Sequence, residues 1–290
     1  MTASRKAILM GLVAVALWST VATAFKIALS FISVDVLVAI ACLISTLILV
    51  ASAWWQGHLR LVLQELRARP LLYAALGLAN PILYYSVLLR AYDLLPAQQA
   101  QTINYTWAIT LSLLAIPVLG QRLSPRDWVA VSLGYLGVVI IATQGRFEFG
   151  AIASPLGLLL ALGSTLLWAG FWLVNTRLKL EGSVSLTAMF LMAAPFALAL
   201  LWWRSPVELS LSGLLAASYV GAFEMGITFL LWSAALNQAE NVSRVANLIF
   251  LAPVFSLILI QTVLGEAIHP ATLIGFACIV PAVIYQQRAA

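Results

Sequence analysis

The chain has 290 residues, 63% of them hydrophobic and 9% charged, with a net charge of +5 and a mean hydropathy of +1.04. A soluble domain carries about 25% charged residues, so this composition cannot clothe a water-facing globule and excludes that class. Apolar runs of about 20 residues recur along the chain, the length that crosses a bilayer as helix with its backbone groups satisfied internally.

Marked between charged or Pro/Gly-rich breaks, ten spans are expected, at 7–29, 34–55, 71–92, 97–119, 126–144, 155–176, 184–203, 210–236, 243–264 and 268–286. The fold class is therefore an all-α polytopic membrane protein. At the start, Arg5 and Lys6, an apolar run and Ala22-Thr23-Ala24 imitate a secretory leader with its cleavage site. The apolar run continues past that site, and the segment is read as the first span. The longest break, QGHLRLVLQELRARP (56–70), reads as a short surface helix. The tight breaks DLLPAQ (93–98) and LGQRLSP (119–125) imply antiparallel helical hairpins. Connections this short leave no room for an attached soluble domain.

With ten spans both termini lie on one side. Of the 15 Lys and Arg residues, Lys26, Arg90, Arg146 and Arg204 fall on the opposite side and the others on the terminal side. Cytoplasmic loops hold the Lys/Arg excess, so both termini are expected in the cytoplasm. The basic residues are scattered over short loops, which argues against nucleic acid as a partner; the partners expected are the bilayer and a small molecule.

Catalytic and metal chemistry find no footing. Cys42 and Cys278 sit mid-span, where a lone thiol is a small apolar filler, and His58 and His269 are too separate for a metal site. HExxH, Walker A and GxSxG patterns are absent. The sequons at Asn104 and Asn241 read as chance matches. No cofactor is expected, and the chain is not read as an enzyme.

The chain repeats itself. VLGQRLSP (118–125) and VLGEAIHP (263–270) share Val, Leu, Gly and Pro at a spacing of 145, and the helices before them align without a gap. A looser match sets LWSTVATAFK (17–26) against LWAGFWLVNT (167–176). Two units follow, 1–147 and 148–290, each with five spans. An odd number turns the second copy over in the membrane, giving two inverted five-helix repeats around a central cavity, a recurring transporter plan.

These residues resemble a known family. The corner Leu264-Gly265-Glu266, the five-plus-five duplication and the short loops are similar to the drug/metabolite transporter superfamily, in its EamA-type branch. The run Asn104-Tyr105-Thr106-Trp107 is similar to a stretch of the bacterial aromatic amino-acid exporters of that branch, although Ala108 stands where they often have Pro. The resemblance implies an inner-membrane exporter of aromatic and other neutral amino acids. Export of other small metabolites or drugs remains open within the same fold, and a channel is the rival class.

Side-chain chemistry points to candidate residues. Gln98, Gln101, Tyr105, Ala108 and Ser112 fall on one helical stripe, flanked by Asn104 and Trp107. Polar groups facing lipid are costly, so the stripe should face protein or a watery cavity; hydrogen bonding between helices is the alternative. In the third span Asn80, Tyr84 and Tyr85 flank Pro81, which can bend a helix. In the sixth, Ser164, Trp168, Phe171 and Asn175 share a face, and Trp18 matches Trp168 in the repeat. Trp54, Trp55, Trp202 and Trp203 suit an interfacial belt, whereas Trp18, Trp107 and Trp168 lie too deep for one. Tyr84, Tyr85, Tyr105, Trp107 and Trp168 are candidates for a substrate's side chain, with Asn104 and Glu224 for its polar end. Trp18, Asn80, Gln101, Ser164, Asn175 and Asn247 would line the cavity. Glu224, in GAFEMG (221–226), is an intramembrane carboxyl and by that fact a functional candidate. It could bind an ammonium group, carry a proton, or simply bond to Asn247 or Tyr219. Pro81, Pro117, Pro195, Pro253 and Pro281 are candidate bends, some of them hinges for alternating access.

Overall fold

The computed structural model describes residues 3–120, 124–146, 152, 154–178, 182–204, 206–207, 209–239, 245 and 247–287, and these hold helices and turns with no strand among them. The helices are α1 (Ala3–Leu29), α2 (Val34–Trp55), α3 (Leu59–Ala68), α4 (Pro70–Gly77), α5 (Tyr84–Leu94), α6 (Ala97–Asn104) and α7 (Trp107–Leu119). Then follow α8 (Pro125–Ala142), α9 (Pro155–Leu178), α10 (Gly182–Trp203), α11 (Leu211–Val220), α12 (Ile227–Asn237), α13 (Leu251–Leu264) and α14 (Pro270–Gln287). Six segments of the described residues are long and apolar enough to cross a membrane: Arg5–Leu29, Val34–Trp55, Pro70–Leu94, Pro155–Val174, Gly182–Trp203 and Leu211–Asn237. Asp127–Ala142, Leu251–Leu264 and Pro270–Ala282 are shorter apolar helices. The chain is a multi-pass membrane protein.

Local sequence explains the boundaries. Ser124 caps α8 by accepting from the Asp127 amide while Asp127 accepts from the Ser124 amide, with Pro125 at the first helical position. Ser210 and Ser154 do the same work, accepting from the amides of Gly213 and Gly157 at 3.0 Å each. The two repeated octapeptides share their described ends: Gly120 and Gly265 both have φ of 69°, the left-handed cap that a side chain would strain, and Pro125 and Pro270 both open the next helix. The surface helix expected within 56–70 is α3, tied down by Val62, which is fully buried, and by Tyr73 Oη donating to Glu65 Oε2 at 3.0 Å. Trp54, Trp55, Trp202 and Trp203 are exposed at helix ends, as a belt requires.

Three expected helices are interrupted. Between α4 and α5 the chain kinks within Leu78–Leu83, where Asn80 leaves helical geometry at φ −148° and ψ 116° ahead of Pro81. Between α11 and α12 lies a π-helical stretch, Gly221–Gly226, whose Phe223 carbonyl accepts from Thr228 Oγ1 just beyond it. The expected continuous helix 97–119 is corrected by a break at Tyr105–Thr106. There the Thr106 amide bonds back to Ile103 at 3.0 Å, and Thr106 Oγ1 donates to the same carbonyl at 2.7 Å. A threonine hydroxyl that competes for backbone acceptors tightens the turn and ends α6.

Contacts divide the chain into two compact units, Met1–Ser86 with Lys179–Ser256, and Val87–Leu178 with Leu257–Ala290. In the first, α2 packs along α10 and α11, and Leu37, Val38, Ala39, Ala41, Cys42 and Leu49 are fully buried. Ser45 Oγ reaches the Gly221 carbonyl at 2.7 Å, and a Cβ at Gly221 would lie 2.6 Å from the Ala41 carbonyl oxygen. Arg204 Nε donates to Asp35 Oδ2 at 2.6 Å, joining the end of α10 to the start of α2. In the second unit α8 packs along α14, and α6 and α7 pack on α9. Gly137 and Gly275 let α8 and α14 touch backbone to backbone; a Cβ on either would lie 2.6 or 2.7 Å from the other's carbonyl oxygen.

Candidate functional site

The candidate residues form two clusters, one within each unit. In the first unit the cluster is centred on Glu224, carried by the π-helical stretch between α11 and α12. Such widened turns redirect side chains and recur at functional sites. Tyr85 Oη donates to Glu224 Oε1 at 2.9 Å, while Glu224 Oε2 is buried with no hydrogen-bond partner among the described residues. Trp18 Nε1 donates to the Glu224 backbone carbonyl at 3.4 Å. The expected partners were Tyr219 or Asn247. Tyr219 Oη instead pairs with Thr20 Oγ1 at 2.8 Å, because the Tyr85 hydroxyl reaches the carboxyl from α5. The Trp18 ring stands edge-on to Phe229 and Trp232, with centroids at 5.8 and 5.3 Å, and Tyr84 stands edge-on to Tyr85 at 4.7 Å. Tyr84, Tyr85 and Asn80 are buried, whereas Trp18 and Glu224 are half-buried.

A carboxylate has about four acceptor positions, and the protein supplies a donor at one oxygen of Glu224. The other oxygen, in a wall of indole and phenol rings, suits an ammonium or a proton; aromatic faces add attraction for a cation.

In the second unit the cluster joins α6 and α7 to α9. Asn104 Nδ2 donates to Ser164 Oγ at 2.9 Å, and Ser164 Oγ donates onward to the Ala161 carbonyl at 2.6 Å. Trp107 stands edge-on to Trp168, with centroids 6.5 Å apart, and Trp168 continues into Phe171 at 5.9 Å and Trp172 at 6.1 Å. Beneath it, Thr110 Oγ1 pairs with Tyr135 Oη and with Thr165 Oγ1, both at 3.0 Å. Gln101 and Ser164 are buried; Asn104, Tyr105, Trp107 and Trp168 are half-buried and keep surface for a ligand. The expected stripe divides at the helix break, and Gln98 leaves it altogether for the turn at 267–272. Asn175 and Asn247 lie on described backbone, but their side chains fall outside the described residues.

Several cluster members escape a reading of the sequence. Phe229 and Trp232 lie five and eight residues beyond Glu224, and their position was a usable signal once Trp18 was singled out. Trp172 is four residues beyond Trp168, one helical turn away. Thr110, Thr165 and Tyr135 carried no signal, since threonine is ordinary in membrane helices. The described residues hold no group of His, Cys, Asp and Glu that could bind a metal ion.

Comparison with known proteins adds to this geometry. The sequence profile of the EamA-like transporter family matches residues 5–143 and again residues 155–285. The uncharacterized transporter YvbV of Bacillus subtilis is 26% identical over 226 residues, 73% of this chain and 70% of its own. An uncharacterized transporter of Archaeoglobus fulgidus is 30% identical over 237 residues, 72% of this chain and 80% of its own. The aromatic amino acid exporter YddG of Ancylobacter novellus is 26% identical over 275 residues, 94% of this chain and 93% of its own. A crystal structure of another protein is similar over 98% of this chain and 97% of its own, with a TM-score of 0.68 at 24% identity, a likeness of fold.

Proposed function

The chain belongs to the EamA-like transporter family, and from that premise we propose that it exports aromatic and other neutral amino acids across a bacterial inner membrane, by alternating access. The observation that carries this reading is the Asn104–Ser164 pair beside the Trp107–Trp168 pair, a polar anchor next to two indole faces. A neutral amino acid needs both kinds of surface. The likeness to an aromatic amino acid exporter over 94% of the chain supports it.

Trp107 and Trp168, with Tyr105, stack on the cargo side chain, and Asn104 binds its polar end. In the other unit Tyr84, Tyr85 and Glu224 are further substrate-binding candidates, the phenols as aromatic surface and the carboxyl as an acceptor for an ammonium group. Ten spans in two inverted repeats, 1–147 and 148–290, carry this chemistry, with both termini in the cytoplasm. Support for the duplication comes from the double profile match, residues 5–143 and 155–285, and from the equal left-handed φ of Gly120 and Gly265.

Uptake of radiolabelled phenylalanine into liposomes holding the purified protein tests the reading. Saturable uptake, blocked by unlabelled aromatic amino acids and lost in Trp107→Ala, is the expected result. Uptake no faster than in empty liposomes, with the protein correctly inserted, overturns the amino-acid assignment. An imposed pH gradient in the same run separates proton exchange from facilitated diffusion.

A further inference from the structure

The corner Leu264-Gly265-Glu266 lies where α13 ends. Gly265, at φ of 69°, ends α13 and turns the chain so that Glu266 meets the start of α6. Its carboxyl accepts from the Ala97 amide at 3.1 Å through Oε1 and from the Gln98 amide at 3.5 Å through Oε2. The first amides of a helix have no partner inside it, and Pro96, which precedes α6, offers no side-chain cap. The cap therefore comes from 169 residues away. Gln98 answers in the other direction. Its Nε2 donates to the Ala267 carbonyl at 2.9 Å, and its Oε1 accepts from the His269 amide at 2.9 Å and from Thr272 Oγ1 at 2.8 Å. Gln98 and Thr272 are buried, so the clasp is shielded from water.

What the clasp holds is the arm that carries the polar anchor of the second cluster. α6 has eight residues, AQQAQTIN, too few to be stable as helix alone. It is cut from α7 by the turn at Tyr105–Thr106, and its last residue, Asn104, makes the bond to Ser164. The carboxyl is not needed for the left-handed glycine cap: in the other octapeptide Gly120 has the same φ, and the sequence there has Gln121 in place of Glu266. A negative charge at a helix N-terminus favours that helix.

We infer that Glu266 is a positioning residue for transport: by capping α6 it fixes the register in which Asn104 is presented to Ser164 and to the cargo. This rests on the reading of Asn104 as a cargo-binding residue. Glu266 itself touches no cargo.

Two measurements test it. The first needs no cargo: amide hydrogen exchange across 97–104 in the purified, full-length protein. Glu266→Ala should speed exchange there, Glu266→Gln, which keeps an acceptor oxygen, should restore most of the protection, and Gln98→Ala should loosen the same segment. Unchanged exchange in Glu266→Ala overturns the inference whatever the protein carries. The second is phenylalanine uptake as a double-mutant cycle. Glu266→Ala should raise KM on the order of three- to tenfold with the maximal rate kept, and should add nothing to Asn104→Ala. A loss of maximal rate alone, or effects that multiply in the double variant, would reduce Glu266 to a structural cap. If Glu266→Ala does not fold, Glu266→Gln and Gln98→Ala carry both measurements. A wild type that moves no amino acid defeats the substrate assignment and leaves the exchange measurement to decide the cap.

Discussion

Tyr85 and Glu224, 139 residues apart in sequence, meet through a hydrogen bond of 2.9 Å between phenol and carboxyl. Each is set by an interrupted helix: Tyr85 follows the kink within Leu78–Leu83, and Glu224 lies within the π-helical stretch Gly221–Gly226. Two irregular backbones thus converge on one polar contact, and the second carboxyl oxygen is buried without a partner among the described residues.

Removing the phenol should therefore cost more than one ordinary hydrogen bond. Tyr85→Phe leaves the carboxyl with no side-chain donor in the cluster, and a buried polar group left unsatisfied costs about 1–3 kcal/mol. Replacing both partners by apolar groups of similar shape removes that penalty. The expected order of thermal midpoints in detergent is wild type, then Tyr85→Phe with Glu224→Met, then Tyr85→Phe alone. A double variant less stable than the single one would show that the carboxyl has another partner.

The indole pair should govern affinity for aromatic cargo. Edge-on aromatic contacts are worth about 0.5–1.5 kcal/mol beyond burial, so Trp168→Ala should raise KM for phenylalanine by at least about two- to tenfold. Trp168→Phe should retain most of the affinity, and Trp202→Ala, at an indole 78% exposed, should change nothing. Concentration-dependent uptake into liposomes distinguishes the three.

Backbone contact between α8 and α14 predicts intolerance to a single methyl group. Gly137→Ala places a Cβ 2.6 Å from the Gly275 carbonyl oxygen, and the helices must part. Overpacking of this kind costs about 1–3 kcal/mol. Gly170→Ala, with nothing within 4 Å, should be neutral or slightly stabilising as a helix substitution. Thermal midpoints of the two variants, purified side by side, check the contrast.

Thr110 ties three helices, bonding Tyr135 on α8 and Thr165 on α9 at 3.0 Å each. Interhelical hydrogen bonds in membranes average about 0.6 kcal/mol and reach about 1.7. Thr110→Val removes two, so a loss on the order of 1–2 kcal/mol is expected, whereas Thr20→Val, which removes the single bond to Tyr219, should lose less. Unfolding by denaturant in mixed micelles would rank them.

Much of the helical layout was legible. The apolar run 34–55 is α2 with the same ends, and the break 56–70 does hold a surface helix, because amphipathic and uniformly apolar stretches look different residue by residue. Pro81 announced the irregular backbone at Asn80, since a proline disfavours helical geometry in the residue before it. The break after Asn104 gave no such notice: it depends on which carbonyl the Thr106 hydroxyl chooses, and threonine at Thr102 makes a similar bond without ending the helix. Glu224 was conspicuous as an acid within an apolar span, but its partner Tyr85 was not, because a pairing across 139 residues depends on how helices pack rather than on any local pattern. The partners of Gln98 were hidden for the same reason. Its spacing placed it on a stripe with Gln101, whereas its three partners come from a turn about 170 residues later.

That distance bears on how the protein is made. Ala97–Asn104 emerges from the ribosome with Gln98, Gln99, Gln101, Thr102 and Asn104 in two turns of helix, a sequence that lipid alone rejects. The partner of Asn104 is synthesised 60 residues later, and those of Gln98 only near the end of the chain. Until those partners exist, the polar groups of this segment are without the hydrogen bonds they make in the folded chain. Of the three partners of Gln98, only Thr272 lies on α14, so a chain cut before α14 would keep the Ala267 and His269 bonds to Gln98 and lose the buried Thr272 hydroxyl.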